Sequence, residues 1–293
     1  MSKSVRLSRG LNINLLGDAD KVYASVKNHE IYALKPTDFH GLTPKLTVKV
    51  GDSVLAGSTI FFDKYNEKIK FCSPVSGTIQ DIIRGDKRRI LEVIIKSNSE
   101  EKYVSHSPVN PKDLSREQII DHMLQKGVWP FIRQKPYDII ANPSDMPKSI
   151  FISAFKSGPL AIDNDFALYG MDELFQKGLD IISKLTNGKT HLNLDGNTNS
   201  SKVFSDAKGV ELNSFSGPHP AGNVGIQIHH LDPINKGDVV WYLEPQDIIV
   251  IARLFTEGKY DVSRIISLCG SEVSKPRYYR TISGSCVANL ISD

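Results

Sequence analysis

The sequence predicts an α/β chain joined to a compact β unit, and three observations carry that reading. From about His29 to Ile95, short β-type runs are broken at even intervals by Gly, Pro and Asp. From Ser107 to about Gly258, β runs alternate with helical stretches, and from Pro276 a second β-rich pattern begins. Even punctuation of short strands signals a small barrel or sandwich, whereas strand–helix alternation signals an open parallel sheet covered on both faces. The divisions that follow are 1–106, 107–258 and 259–293.

In the β unit, Leu46–Val50 alternates, Gly51-Asp52 turns the chain, and Thr59–Phe62 forms the next run. Ser73–Gly77 is a second turn, and Thr78–Ile83 and Ile90–Ile95 follow, separated by Gly85-Asp86. Arg84, Lys87, Arg88 and Arg89 sit at that hairpin tip as solvated cations. The stretches Val50-Gly-Asp-Ser-Val-Leu-Ala-Gly57 and Ser73-Pro-Val-Ser-Gly-Thr-Ile79 resemble the barrel-sandwich module of biotinyl and lipoyl carrier domains. In those domains a carrier lysine tops the hairpin between the two halves, and Lys64 stands in the corresponding place. Against a covalent carrier, Lys64 has no flanking methionines and is followed by Tyr65 where a small residue belongs.

The polar stretch Ser97–Ser107 ends the β unit. Ser115-Arg-Glu-Gln118 is a capping box, with Leu114 and Ile119 as its hydrophobic staple. The helix it opens carries Ile119, Ile120, Met123 and Leu124 on one side and stops at Gly127. A strand is expected at Ile150–Phe155, a helix at Met171–Leu185 capped by Gly188, and a strand at His191–Leu194. A short helix near Ser201–Lys208 then precedes a strand at Val210–Leu212. Ser216–Gly225 packs two prolines and three glycines into ten residues, which excludes helix interior and central strand and leaves a loop. A strand at Val239–Leu243, a turn at Glu244-Pro245-Gln246 and a helix N-capped by Asp247 follow, with Gly258 as the C-terminal cap. Strand, tight turn and helix N-terminus together make a common place for a site in an α/β protein. After a strand at Ile265–Leu268, the tail ends at Ile291-Ser-Asp293 in mid-pattern and reads as a domain cut short.

Composition narrows the function. A formal charge of +3 gives no electrostatic case for nucleic acid. No apolar run approaches the roughly 20 residues that span a bilayer, and Met1–Val5 lacks a signal-peptide core, so a cytoplasmic protein is expected. Cys72, Cys269 and Cys286 form no CxxC pair, which argues against an iron–sulfur or structural zinc site. The loop after Ile150–Phe155 reads Lys156-Ser-Gly-Pro-Leu-Ala161, without the GxGxxG of a dinucleotide site, and no P-loop or nucleophile elbow is present. Asp163, Asp165, Asp172 and Glu173 read as loop and first-turn acids. His229 and His230 are adjacent and on a strand would face opposite ways, so with His219 they make no metal set. His219, held between two prolines, can donate to an anion or a carbonyl oxygen, or it can pin its own loop. Trp241, within Val-Val-Trp-Tyr-Leu, reads first as core.

Taken in order, Arg9-Gly-Leu-Asn-Ile13, the barrel with Ser73–Thr78, Gly127-Val-Trp-Pro-Phe-Ile-Arg-Gln-Lys-Pro-Tyr137, and Gly217-Pro-His-Pro-Ala-Gly222 with Trp241 and Gln246-Asp247 resemble one family. That family is the NqrA subunits of the sodium-translocating NADH:quinone oxidoreductases, which are peripheral and have no transmembrane helices. Its wider relatives are the C subunit of the Rnf electron-transport complex and the flavin subunit of respiratory complex I. Those carry a glycine-rich flavin loop at the position of Gly127–Arg133 and cysteine-rich cluster motifs further on. Here Val128, Trp129, Pro130 and Phe131 replace the glycines, and their bulk blocks the close backbone approach a flavin phosphate needs.

The resemblance implies a Rossmann-like α/β domain, the start of a β-grasp domain in 259–293, and no cofactor, metal or catalytic residue on this chain. It implies a complex that uses NADH, flavins, quinone and Na+, with the other subunits as partners, above all the quinone-reducing membrane subunit. The place implied is the cytoplasmic side of the bacterial inner membrane. Quinone or partner contact then falls to His219, Gly222, Gly225, Trp241 and Asp247. Two rival readings stand beside it: a flavin-binding electron-transfer subunit of the Rnf C type, and a lipoyl or biotinyl carrier modified at Lys64 and fused to an α/β domain.

Overall fold

A computed structural model describes residues 3–24 and 30–291 of the chain. The expected start of the β unit at His29 and the last two residues, Ser292 and Asp293, lie outside the described residues.

The β unit is built from two small sheets. One places Ile31–Leu34, Ile90–Ser97, Gly77–Arg84 and Ser53–Val54 side by side, and the other Pro44–Leu46, Thr59–Asp63 and Asn66–Cys72, with every neighbour antiparallel. Alternate residues of both point inward, so Ile60, Phe61, Phe71, Ile79, Val93 and Ile95 make a dry centre, with Phe61 stacked on Phe71 at 4.7 Å. The strand expected at Leu46–Val50 instead ends at Leu46. Thr47–Val50 leads into a turn where Gly51 takes a φ of +91°. The strand Asn66–Cys72 has no clear sequence pattern, because Glu67, Lys68 and Lys70 obscure the inward set of Ile69, Phe71 and Cys72. Lys64 tops the hairpin between the two sheet strands, exposed, with its Nζ 5.8 Å from the centre of the equally exposed Tyr65 ring.

The α/β layer is a seven-stranded sheet in the order Ser4–Arg6, Glu211–Ser216, Lys189–Asp195, Ser149–Ser153, Val240–Leu243, Arg133–Lys135, Ile139–Ile140. The first five strands are parallel and the last two antiparallel. Every residue of the central strand Ser149–Ser153 is buried, as a strand covered on both faces requires. Ile150 and Ile152 face one layer, where the helices Arg116–Gln125, Asp172–Ser183 and Pro245–Glu257 supply Ile119, Leu179 and Ile248. Phe151 faces the other, with Phe155, Phe215 and Ile228 of the helix Val224–Leu231. A Cβ at Gly178 would lie 2.4 Å from Ile248 Cγ2, so this mid-helix glycine sets how closely two of the helices approach.

Local signals placed several elements correctly. Ser115 Oγ accepts from the Gln118 N–H at 3.3 Å while Gln118 Oε1 accepts from the Ser115 N–H at 2.8 Å, closing the expected capping box. Gly258 caps its helix at φ +66°. Other expectations need correction. The final helix of the sheet begins at Pro245, two residues before Asp247: Glu244 is the N-cap, and Pro245 fits the first turn because its missing N–H has no acceptor there anyway. The helix expected to reach Leu185 ends at Ser183, and Gly188 is not its cap; a Cβ there would lie 1.9 Å from the Lys148 carbonyl oxygen. The strand expected at Val210–Leu212 runs on to Ser216. Gly225, expected in a loop, lies in the helix Val224–Leu231, which also carries the exposed His229 and His230 in its last turn.

A third sheet pairs Ser263–Leu268 with Arg277–Ile282 antiparallel and adds Asp20–Ala24 parallel to the latter. Residues 1–106 are therefore not one spatial unit: the strands Ser4–Arg6 and Asp20–Ala24 belong to the other two sheets. No helix among the described residues is long and apolar enough to cross a membrane.

Candidate functional site

Parallel strands bring their carboxyl ends to one rim, and the loops there form an open cleft enclosing about 950 Å³. Asn12, Asn14, Lys156, Ser157 and Asn197 give it a polar lining. His219 is half-buried beside this rim, its Nδ1 3.1 Å from Ser157 Oγ, which also accepts the Gly222 N–H at 2.8 Å. A Cβ at Gly222 would lie 2.4 Å from the Ser157 backbone nitrogen, so two loops far apart in sequence can touch only with glycine there. His219 thus pairs its ring with a neighbouring loop rather than with its own, and its backbone holds the N-terminal segment: its carbonyl accepts from Leu11 N at 3.0 Å and its N–H donates to Asn12 Oδ1 at 2.9 Å. Lys156 and Glu244 form an ion pair beside it.

Beneath the rim, a hydrogen-bonded chain crosses the phenylalanine layer. Gln227 Nε2 donates to Ser153 Oγ at 2.9 Å, Asn193 Nδ2 to Gln227 Oε1 at 2.9 Å, and Asn213 Nδ2 to Asn193 Oδ1 at 3.0 Å. Buried amides of this kind must be paired, and here they tie the loop of His219 to the sheet.

The five residues expected to share a contact surface do not form one. His219 and Gly222 meet at the rim, and Gly225 stands exposed in the next helix. Trp241 is fully buried, donating to Gln134 Oε1 at 3.1 Å and standing edge-on to Trp129 at 5.4 Å. Asp247 is buried too: its Oδ2 accepts the Glu244 N–H at 3.0 Å, and its Oδ1 pairs with Arg264 at 2.5 Å. Both hold the fold rather than a ligand.

A second cavity, of about 640 Å³, has no counterpart in the sequence reading. It opens where the β unit, the segment after Gly127 and the third sheet meet, and its walls are Phe39, Phe71, Pro74, Pro130, Phe131 and Tyr260, with Lys35 and Asp38 also lining it. Tyr260 is only 6% exposed, and among the described residues its hydroxyl has no hydrogen-bond partner. Desolvation holds that phenol protonated well above its ordinary range. Such a group is an unusual expense in a fold, since a buried hydroxyl left unpaired costs about 1–3 kcal/mol. Apolar walls with one donor are the make-up of a small-molecule site. The segment that stands in place of a flavin loop divides in two here: Val128 and Trp129 turn into the core at 0% exposure, while Pro130 and Phe131 line the cavity. Among the described residues, no three His, Cys, Asp or Glu side chains gather as metal ligands.

Cys72 forms part of the cavity wall, and a Cβ at Gly127, where φ is +77°, would lie 2.3 Å from its sulfur. Burial pushes the Cys72 thiol up to about 12, so it stays protonated. Iodoacetamide at pH 8 should therefore label the exposed Cys286 in the native protein and reach Cys72 only after unfolding, as peptide mass mapping would read out. The sign for stability follows: the unfolded thiol ionises near pH 9 while the folded one does not, so this residue's share of stability is intact below pH 9 and declines from there to about 12.

Residues 114–260 match the family described as the NqrA second alpha/beta domain, and residues 5–98 match the NqrA N-terminal barrel-sandwich hybrid domain. Among curated proteins, the chain is 33% identical over 289 residues to the A subunit of the Na(+)-translocating NADH-quinone reductase of Marinomonas sp., covering 98% of this chain and 64% of that one. The proteins of the same description from Saccharophagus degradans and Hahella chejuensis are 34% and 35% identical, with the same coverage. The chain thus spans 64% of the length of these relatives.

Proposed function

Since the chain belongs to the NqrA family, that of the A subunits of Na(+)-translocating NADH-quinone reductases, we propose that it is a peripheral subunit of such a sodium-pumping complex with a quinone-side role. It sits on the cytoplasmic face of the bacterial inner membrane, against the quinone-reducing membrane subunit. NADH oxidation and the flavins belong to other subunits, and this chain holds no cofactor of its own. Its parts are a barrel-sandwich unit within 1–106, a Rossmann-like sheet over 107–258 completed by the N-terminal edge strand, and the start of a β-grasp unit in 259–293.

The observation that supports a quinone-side role is the Tyr260 hydroxyl, unpartnered among the described residues, in a cavity walled by aromatic rings. A quinone headgroup is a flat apolar ring with carbonyl acceptors. Phe39, Phe71 and Phe131 would take its faces and edge, and Tyr260 would donate to one carbonyl oxygen. This chain binds, orients and excludes water, and makes or breaks no bond itself. The rim around His219, Gly222 and Gly225 is left to protein contact.

Tyr260→Phe tests the assignment in the purified complex. It keeps the ring and removes only the donor, so quinone affinity should fall about three- to tenfold while the melting temperature stays level. Unchanged affinity would refute the cavity as the quinone site. Native mass spectrometry of the chain should give the bare polypeptide mass; a bound flavin would revive the Rnf-type reading, and an added lipoyl or biotinyl mass the carrier reading at Lys64.

A further inference from the structure

The N-terminal strap Arg9–Gly17 is fixed in place yet shows its apolar side to water. Leu7 N donates to the Ser216 carbonyl at 2.9 Å, Leu11 N to His219, and Gly270 N to the Gly17 carbonyl at 2.9 Å. Gly10 and Gly17 lie so close to the His219 and Gly270 carbonyl oxygens that a Cβ at either would sit 2.2 and 2.3 Å away. Between these anchors Leu11, Ile13, Leu15 and Leu16 are 69, 57, 52 and 79% exposed. A freely moving tail could hide such side chains; a pinned strap holds them out at a cost of about 25 cal/mol per Å².

From this strap we infer a docking site for an extended polypeptide segment of another subunit, paired alongside residues 12–16; the inference rests on the reading of the chain as part of the complex. Three observations favour this occupant. The backbone N–H and C=O groups of residues 12–16 make no hydrogen bond among the described residues, which leaves an edge open to an added strand. The side chains alternate: Gly10 and Asn12 turn to His219, while Leu11, Ile13 and Leu15 turn out, the two-residue period that an added strand would match. The strap also borders the polar cleft of Asn14, Lys156, Ser157 and Asn197, which a peptide's polar groups can fill and a lipid surface cannot. Arg9 and Asp18, unpaired among the described residues, stand at the two ends, so the segment should be acidic at one end and basic at the other.

The test uses the complex assembled in cells with a photo-crosslinking amino acid at position 13 or 15. Peptide mapping should find one contiguous stretch of a different subunit joined at both positions, with no product from the same probe at the exposed Tyr169. Cross-links to lipid, to this chain itself, or none at all would overturn the inference. The double variant Ile13→Asp/Leu15→Asp should lower recovery of the chain with the membrane complex at least about tenfold and leave its melting temperature unchanged. Asn14→Pro, which removes a backbone donor, should lower recovery about threefold. Wild-type recovery of the double variant would overturn the docking site and leave the proposed function standing. If the wild-type chain itself fails to copurify with the complex, the proposed function falls, and this inference with it.

Discussion

Replacing Trp129 with alanine should lower the free energy of unfolding by about 4 kcal/mol, read as a shift of the urea midpoint at unchanged slope. The indole is 0% exposed, so its loss opens a cavity that rigid neighbours cannot close. Its edge-to-face contact with Trp241 at 5.4 Å and 89° goes with it, which accounts for about 1 kcal/mol of the total. The Ala141 carbonyl, which accepts from Trp129 Nε1 at 2.7 Å, is left without that donor inside the protein. Trp129→Phe separates these effects: it retains a ring and most of the volume, and should cost about half as much. Because Pro130 and Phe131 continue directly from Trp129 into the cavity wall, the alanine variant should also weaken quinone binding more than Tyr260→Phe does. A loss below about 2 kcal/mol would show that this corner of the core can collapse inward.

The second large effect is expected at Asp247, where alanine should cost about 3 kcal/mol by the same measurement. The carboxylate does two things at once. It reaches back to the Glu244 N–H at 3.0 Å to close the start of the helix Pro245–Glu257, and it neutralises Arg264 at 2.5 Å where the two side chains are only 10% and 21% exposed. Without it, Arg264 keeps Ser283 Oγ at 3.1 Å and the Phe131 ring at 5.3 Å but has no counter-charge. Removing one partner of such a pair costs more than the pair itself contributes, because the other charge stays behind in a poor solvent. Asp247→Asn, which keeps an acceptor for the helix start and loses the charge, should fall between wild type and alanine. Equal losses for the two variants would assign the whole effect to the charge.

Both variants concern residues whose burial is partly legible in the sequence. Trp241, the partner of Trp129, sits in a run too apolar for the surface, and the family resemblance nevertheless draws it toward a ligand role; the geometry returns it to the core. Asp247 is legible as a helix-start residue but lies two positions inside the true start, because Pro245 resembles a turn residue and is in fact the first helical position. Elements with strong local signals, such as the Ser115 capping box and the Gly258 cap, can be read directly. The helix Val224–Leu231 cannot, since Gly222 and Gly225 outweigh a short apolar pattern. The strand Asn66–Cys72 is hidden because its outward residues are charged and its inward set holds only three members. The aromatic cavity has no local signal at all. It is assembled from residues near 35, 72, 130, 260 and 283, and no window of sequence holds more than a fraction of its wall. The contact of His219 with Ser157 spans 62 residues and is invisible for the same reason.

The edge strand Ser4–Arg6 has a consequence for how the chain matures. It leaves the ribosome first, yet the strand it must join, Glu211–Ser216, follows 210 residues later, which at ~5–20 residues per second is a wait of roughly 10–40 s. During that interval the barrel can close on its own, since its strands pair with near neighbours in sequence, while the leading segment stays unclaimed. The same nascent segment carries the leucines of the strap, so its exposure to chaperones and to wrong partners is greatest early in synthesis. Moving residues 3–18 to follow the α/β region by circular permutation would shorten the wait, and a faster yield of folded protein from such a permutant would identify late docking of the first strand as the slow step in biogenesis.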